Sequence, residues 1–132
     1  MQLIPDSIEI KVAVISERPD GIVLVQIKND VEIGVQEINE MYAAFLKLTG
    51  GRKFVTLVYS GQGAHSTKEA REVASNHAES KLIVAEAILV DNLPHKLLAT
   101  FYIKVHTPKR FTKIFTKETE AVKWLKKFDT TQ

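Results

Sequence analysis

Apolar and polar side chains alternate from Ser7 through Ile8-Glu9-Ile10-Lys11-Val12, after which Ala13-Val14-Ile15 is fully apolar. A period of two is that of a half-buried strand, so residues 8–15 read as one strand. Arg18-Pro19-Asp20-Gly21 follows. Proline presets its own backbone angle and glycine accepts positive φ, which makes this a turn. Residues 22–28 repeat the strand signal, and two strands joined so tightly predict an antiparallel hairpin. Asn29-Asp30 punctuates the chain again, and Val31-Glu32-Ile33 reads as a short third strand.

From Val35 the period lengthens. Val35, Ile38, Met41, Tyr42, Phe45 and Leu48 lie along one helical face, with Glu37, Glu40 and Lys47 assigned to water. Gly50-Gly51 ends the helix, because glycine adopts the left-handed cap conformation. Residues 53–59 and 85–90 are short, mostly apolar runs separated by a helical stretch, the pattern of parallel strands covered on both faces. A further helix starts after Asp91-Asn92, with Pro94 in its first turn, and runs to about residue 104. Thr107-Pro108-Lys109-Arg110 interrupts the pattern, and Phe111–Phe115 alternates as a strand. Thr116 is the expected cap of a last helix with Ala121, Val122, Trp124, Leu125 and Phe128 inward. Lys123, Lys126 and Lys127 sit at its end, where they complement the helix dipole. The order is that of a single α/β domain over residues 1–132: a mixed sheet with an N-terminal antiparallel hairpin, then βα units, with about four helices.

Composition adds limits. A chain of 132 residues, 45% hydrophobic and 26% charged, is long enough to bury a core of its own. It contains no cysteine, which excludes disulfides, thiolate metal sites and cysteine nucleophiles and makes the cytoplasm the expected compartment. The stretch MQLIPDSIEIK has no basic leader, and no apolar run approaches the ~20 residues of a membrane span, so a soluble, untargeted chain is expected. Net charge is +2, with the basic excess in the C-terminal third. Those lysines fall on an outer helix face and in a loop. They read as solvated surface rather than as a site for nucleic acid or anionic lipid.

The stretch most suggestive of chemistry is SGQGAHSTKEA, residues 60–70, at the end of an inner strand. Open α/β sheets place ligands there. A Walker loop needs Gly-Lys-Ser/Thr after four spacers, and here Gly61 is followed by Gln62-Gly63-Ala64-His65-Ser66; the dinucleotide fingerprint lacks its third glycine, with Ser66 in that place. Ser66-Thr67-Lys68-Glu69 fits a capping box in which Ser66 starts the helix. Anion binding at that helix start and modification of a hydroxyl are the functional alternatives. His65 is a candidate base for Ser60 or Ser66, with Asp91 as the third member of an imagined triad, but there is no Gly-x-Ser-x-Gly elbow. The four histidines, His65, His77, His95 and His106, have no metal-ligand spacing, and no cofactor is implied. Glu86 interrupts an apolar strand, so it either points to an edge or cleft or pairs with a base such as Arg71, and pairing is the expectation rather than catalysis. Phe101, Tyr102, Phe111, Phe115, Trp124 and Phe128 are either core or the lining of an apolar cavity.

The element order, the closing stretch Phe111-Thr112-Lys113-Ile114-Phe115 through Ala121-Val122-Lys123-Trp124-Leu125, and Leu57-Val58 followed by Ser66-Thr67-Lys68-Glu69-Ala70-Arg71 together resemble the SpoIIAA-like (STAS) superfamily, in particular its small bacterial members. The resemblance implies a regulatory module that binds a protein partner and is not an enzyme. It also implies phosphorylation or anion binding at Ser66 or Thr67, although Ala64-His65-Ser66-Thr67 replaces the Asp-Ser-Ser-Gly usual in the sporulation branch. Similarity to the lipid-carrying CRAL-TRIO domains implies a second role, carriage of a small lipophilic ligand, with Leu97, Leu98, Phe101 and Tyr102 lining the cleft. Homodimerisation through a strand edge or helix face is a further expectation.

Overall fold

The fold is built on one six-stranded sheet, in the order β1-β2-β3-β5-β7-β8. It was obtained as a computed structural model that describes residues 7–97 and 110–130. The strands are β1 (Ile8–Glu9), β2 (Ala13–Glu17), β3 (Val23–Ile27), β5 (Phe54–Tyr59), β7 (Ile83–Leu89) and β8 (Phe111–Phe115). The pairs β1–β2 and β2–β3 are antiparallel, and β3–β5, β5–β7 and β7–β8 are parallel. The predicted hairpin is therefore β2–β3, closed at Gly21 with φ 86° and by the Arg18 N–H donating to the Ile22 carbonyl at 2.8 Å.

The single strand expected over residues 8–15 is instead two. The chain turns back between Glu9 and Ala13, with the Ile10 N–H donating to the Ala13 carbonyl at 2.9 Å. Apolar alternation runs straight through this turn because Val12 and Ala13 are buried on the far side of it. The short strand expected at 31–33 is β4 (Glu32–Ile33), but it pairs in parallel with β6 (His65–Ser66), apart from the main sheet.

Helix α1 (Val35–Thr49) buries Ile38, Tyr42, Ala44 and Phe45, and Gly50 ends it at φ 68° with its N–H on the Leu46 carbonyl. Together with α2 (Lys68–Asn76) it covers the face lined by Ile15, Val23, Val25 and Phe54. Helix α3 is described over residues 93–97. Helix α4 (Glu118–Leu125) covers the opposite face, where Ala121 and Leu125 meet Val55, Leu57, Ala85, Ala87, Leu89 and Phe115. The two alanines of β7 leave room for a helix to lie close. Each large aliphatic side chain so buried stabilises the fold by about 1.5–3 kcal/mol. Lys117, not Thr116, occupies the N-cap of α4, without a side-chain cap bond. Among the described residues no helix is long and apolar enough to cross a membrane.

Candidate functional site

The stretch 60–67 leaves the carboxyl end of β5 and folds onto the segment that follows β3. The N–H groups of Gln62, His65 and Thr67 donate to Asn29 Oδ1, the Val31 carbonyl and the Ile33 carbonyl at 2.9–3.0 Å. Asp30 N–H returns a bond to the Gln62 carbonyl at 2.8 Å. Both glycines serve this close approach. A Cβ on Gly61 would overlap the Lys28 carbonyl, and Gly63 sits at φ +74° against the Asp30 side chain. With Ser60 N–H on the Leu89 carbonyl and Ala64 N–H on the Gly61 carbonyl, the amides of Ser60, Gln62, Ala64, His65 and Thr67 are all committed to internal bonds rather than to a phosphate cradle.

The side chains of the loop are committed as well. Thr67, not Ser66, caps α2: its hydroxyl accepts the Ala70 N–H at 3.0 Å. Ser66 was the expected cap because of its three-residue spacing to Glu69, but pairing of β6 with β4 holds it in a strand, and the helix starts one residue later. Its hydroxyl instead accepts from Arg71 Nη1 at 3.3 Å, and its carbonyl accepts from the same nitrogen at 2.7 Å. His65 Nε2 lies 3.2 Å from Glu32 Oε1, with both side chains well exposed. Asp91 accepts from Gln62 Nε2 at 2.6 Å. The imagined triad is therefore split between two unrelated contacts.

The Gln62–Asp91 bond joins the loop after β5 to the start of α3. There Leu93 and Leu97, one helical turn apart, are 60% and 63% exposed. Leu98, Phe101 and Tyr102, the other expected cleft residues, lie outside the described residues. Among the described residues no three His, Asp or Glu side chains gather as a metal site.

A second polar cluster lies on the sheet face beneath α1. Thr56, Glu86 and Thr112 are side by side in the β5, β7 and β8 register. Arg110 reaches back over them, with Nη1 3.3 Å from Glu86 Oε1 and Nη2 donating to Tyr42 Oη at 3.2 Å. The basic partner demanded by Glu86 is therefore Arg110 rather than Arg71. Tyr42 donates to the Ala74 carbonyl at 3.1 Å, and its ring stacks on His77 with centroids 4.1 Å apart. Burial pushes the Tyr42 phenol above its ordinary pKa, against the pull of the Arg110 charge. The Arg110 guanidinium is raised as well: burial alone would lower it, but the Glu86 carboxylate and the Tyr42 phenol outweigh burial. Thr56, 2% exposed, leaves its hydroxyl oxygen without a partner among the described residues. The sequence signal for this cluster was Glu86 alone.

The mixed sheet, its N-terminal hairpin and its three parallel crossovers define a SpoIIAA-like α/β fold. The same architecture occurs in the crystal structure of an uncharacterized protein of the DUF3478 family with a SpoIIAA-like fold from Shewanella loihica PV-4. The two superpose with a TM-score of 0.58 over 86% of this chain and 91% of that one, at 13% sequence identity. At that identity the likeness is one of fold. Residues 15–129 match the model of the family described as Domain of unknown function (DUF7793), and the chain belongs to that family. No curated protein matches it.

Proposed function

We propose that the protein is a non-catalytic regulatory module that binds a protein partner through the edge formed by residues 60–67, the start of α2 and the start of α3. The observation that carries this reading is the Ser66 hydroxyl, half-exposed and 3.3 Å from Arg71 Nη1 at the helix start. Of the two expected hydroxyls, Thr67 is occupied as the cap, so Ser66 is the acceptor. A partner kinase would transfer the γ-phosphoryl group of ATP to Ser66 Oγ, with loss of the hydroxyl proton and release of ADP. The new dianion would meet the Arg71 guanidinium and the positive end of α2. A non-catalytic role is supported by the commitment of Thr67, His65 and Asp91 to structural contacts. Affinity capture from native lysate with wild type and Ser66→Asp, combined with phosphopeptide mass spectrometry, tests it. The expected result is a partner lost on Ser66→Asp. Failure to recover any specific partner across several growth conditions, with Ser66 never modified, sinks the reading.

A second reading, carriage of a small lipophilic molecule, is favoured by the exposed Leu93 and Leu97 on one face of α3. Native mass spectrometry of freshly purified protein decides it: a retained apolar ligand supports carriage, and bare protein removes it.

A further inference from the structure

A groove of about 410 Å³ runs between β1 and α1, lined by Ile8, Ile10, Ala43 and Ala44 on its floor and by Glu40 and Lys47 on its helical rim. Three independent features meet there. First, β1 is the terminal strand of the sheet. Because Ile10 N–H bonds to Ala13 and bonded positions alternate in an antiparallel ladder, the Glu9 N–H and carbonyl point away from β2, to a side where no strand pairs with β1 among the described residues. Second, the floor formed by Ile8, Ile10, Ala43 and Ala44 is apolar. Third, Glu40 was expected to face water, yet its Oε1 is buried and has no hydrogen-bond partner among the described residues, while Oε2 accepts from Gln36 at 3.4 Å. A buried carboxylate oxygen left bare asks for a donor.

We propose that this groove receives an extended segment of a partner protein, added as a strand to the outer edge of β1, with an arginine side chain as its anchor. The segment's backbone would bond to Glu9, the arginine stem would lie over Ile8, Ile10, Ala43 and Ala44, and its guanidinium would donate to Glu40 Oε1. Strand addition supplies affinity from main-chain bonds and specificity from one pocket for an alternate side chain. Arginine suits the site better than lysine because its flat fork can hold a carboxylate while its stem packs on apolar surface. The site shares no residue with the edge around Ser66 and goes beyond the function proposed there.

The probe is the blocked heptapeptide Val-Ser-Val-Arg-Val-Ser-Val, titrated into the isotope-labelled full chain and followed by backbone amide shifts. Expected are saturable shifts at residues 8–11 and 40–47, roughly tenfold weaker binding to Glu40→Gln, and a similar loss when the arginine is replaced by citrulline. Ala43→Phe, on an exposed position of the groove, fills the space without touching Glu40 and should abolish the shifts while retaining native circular dichroism. No saturable shifts at millimolar peptide, equal binding of the arginine and citrulline forms, or shifts centred elsewhere overturns the proposal. So does concentration-dependent dimerisation of the free protein that Ala43→Phe abolishes, since the occupant is then a second copy of this chain.

Discussion

Arg110 Nη1 lies 3.3 Å from Glu86 Oε1 on a sheet face whose next row, Ile15, Val25, Val58, Ile88 and Ile114, is entirely apolar. The guanidinium also holds Tyr42, so one cation connects α1 with β7 ahead of β8. Arg110→Met leaves the Glu86 carboxylate half-buried and alone. It should cost about 2 kcal/mol, less than a fully buried pair because both side chains keep some contact with water. Arg110→Met combined with Glu86→Leu should recover most of that loss. Urea unfolding of the single and double variants measures both, and a single variant within ~0.5 kcal/mol of wild type would show that the pair is not structural.

Thr67 and Ser66 are adjacent hydroxyls with different work. Thr67→Ala removes the Ala70 N–H acceptor and should lower stability by about 1 kcal/mol. Ser66→Ala loses only a half-exposed contact to Arg71 and should cost less than ~0.5 kcal/mol. Equal losses in thermal melts would contradict the cap assigned to Thr67.

Gly61 is required by contact rather than by backbone angle. Its missing Cβ is what lets residues 60–62 lie against the Lys28 carbonyl. Gly61→Ala should therefore destabilise by about 1–3 kcal/mol through overpacking. It should also broaden or shift the amide signals of residues 28–33 before those of α1. A neutral substitution there would refute the close approach.

Tyr59 donates to Glu118, which also meets Arg18 Nη1 at 3.4 Å, so the hairpin turn, β5 and α4 converge on one carboxylate. Burial, then the Glu118 hydrogen bond and charge, push the Tyr59 phenol up to about 12. A phenol raised above its unfolded value of about 10 holds its proton more tightly when folded. Its stabilising contribution is complete below the unfolded value and is lost as pH climbs from about 10 to about 12. Alkaline ultraviolet titration, with Tyr59→Phe to assign the signal, should show the Tyr59 transition moving down in Glu118→Gln but remaining above the ordinary value. A Tyr59 transition unmoved by Glu118→Gln would break the link.

The legible parts of this fold were those written in local pattern. Helix α1 announced itself through its apolar period and through Gly50, and β7 through a run of apolar residues whose one exception, Glu86, marked the polar cluster. What was missed depended on distant partners. Ser66 alone has a glutamate three residues on, so the local capping-box rule favours it, and the pairing of β6 with β4 is what moves the cap to Thr67. Arg110 follows Glu86 by 24 residues, and the β7–β8 register that brings the two together has no local signature. Gly61 looked like part of a ligand loop because Lys28, the reason for it, belongs to another strand's end. The turn at residues 10–12 was hidden because burial of Val12 preserved the alternation across it.

The unequal covering of the two sheet faces has a consequence for synthesis. Helices α1 and α2 follow early strands and can dock as the chain emerges, whereas the other face waits for α4, which comes after every strand. Among the described residues, Val55, Leu57 and Leu89 on that face are covered by Ala121 and Leu125 of α4. A chain cut after Phe115 would therefore lack the α4 cover and offer that apolar face to a chaperone.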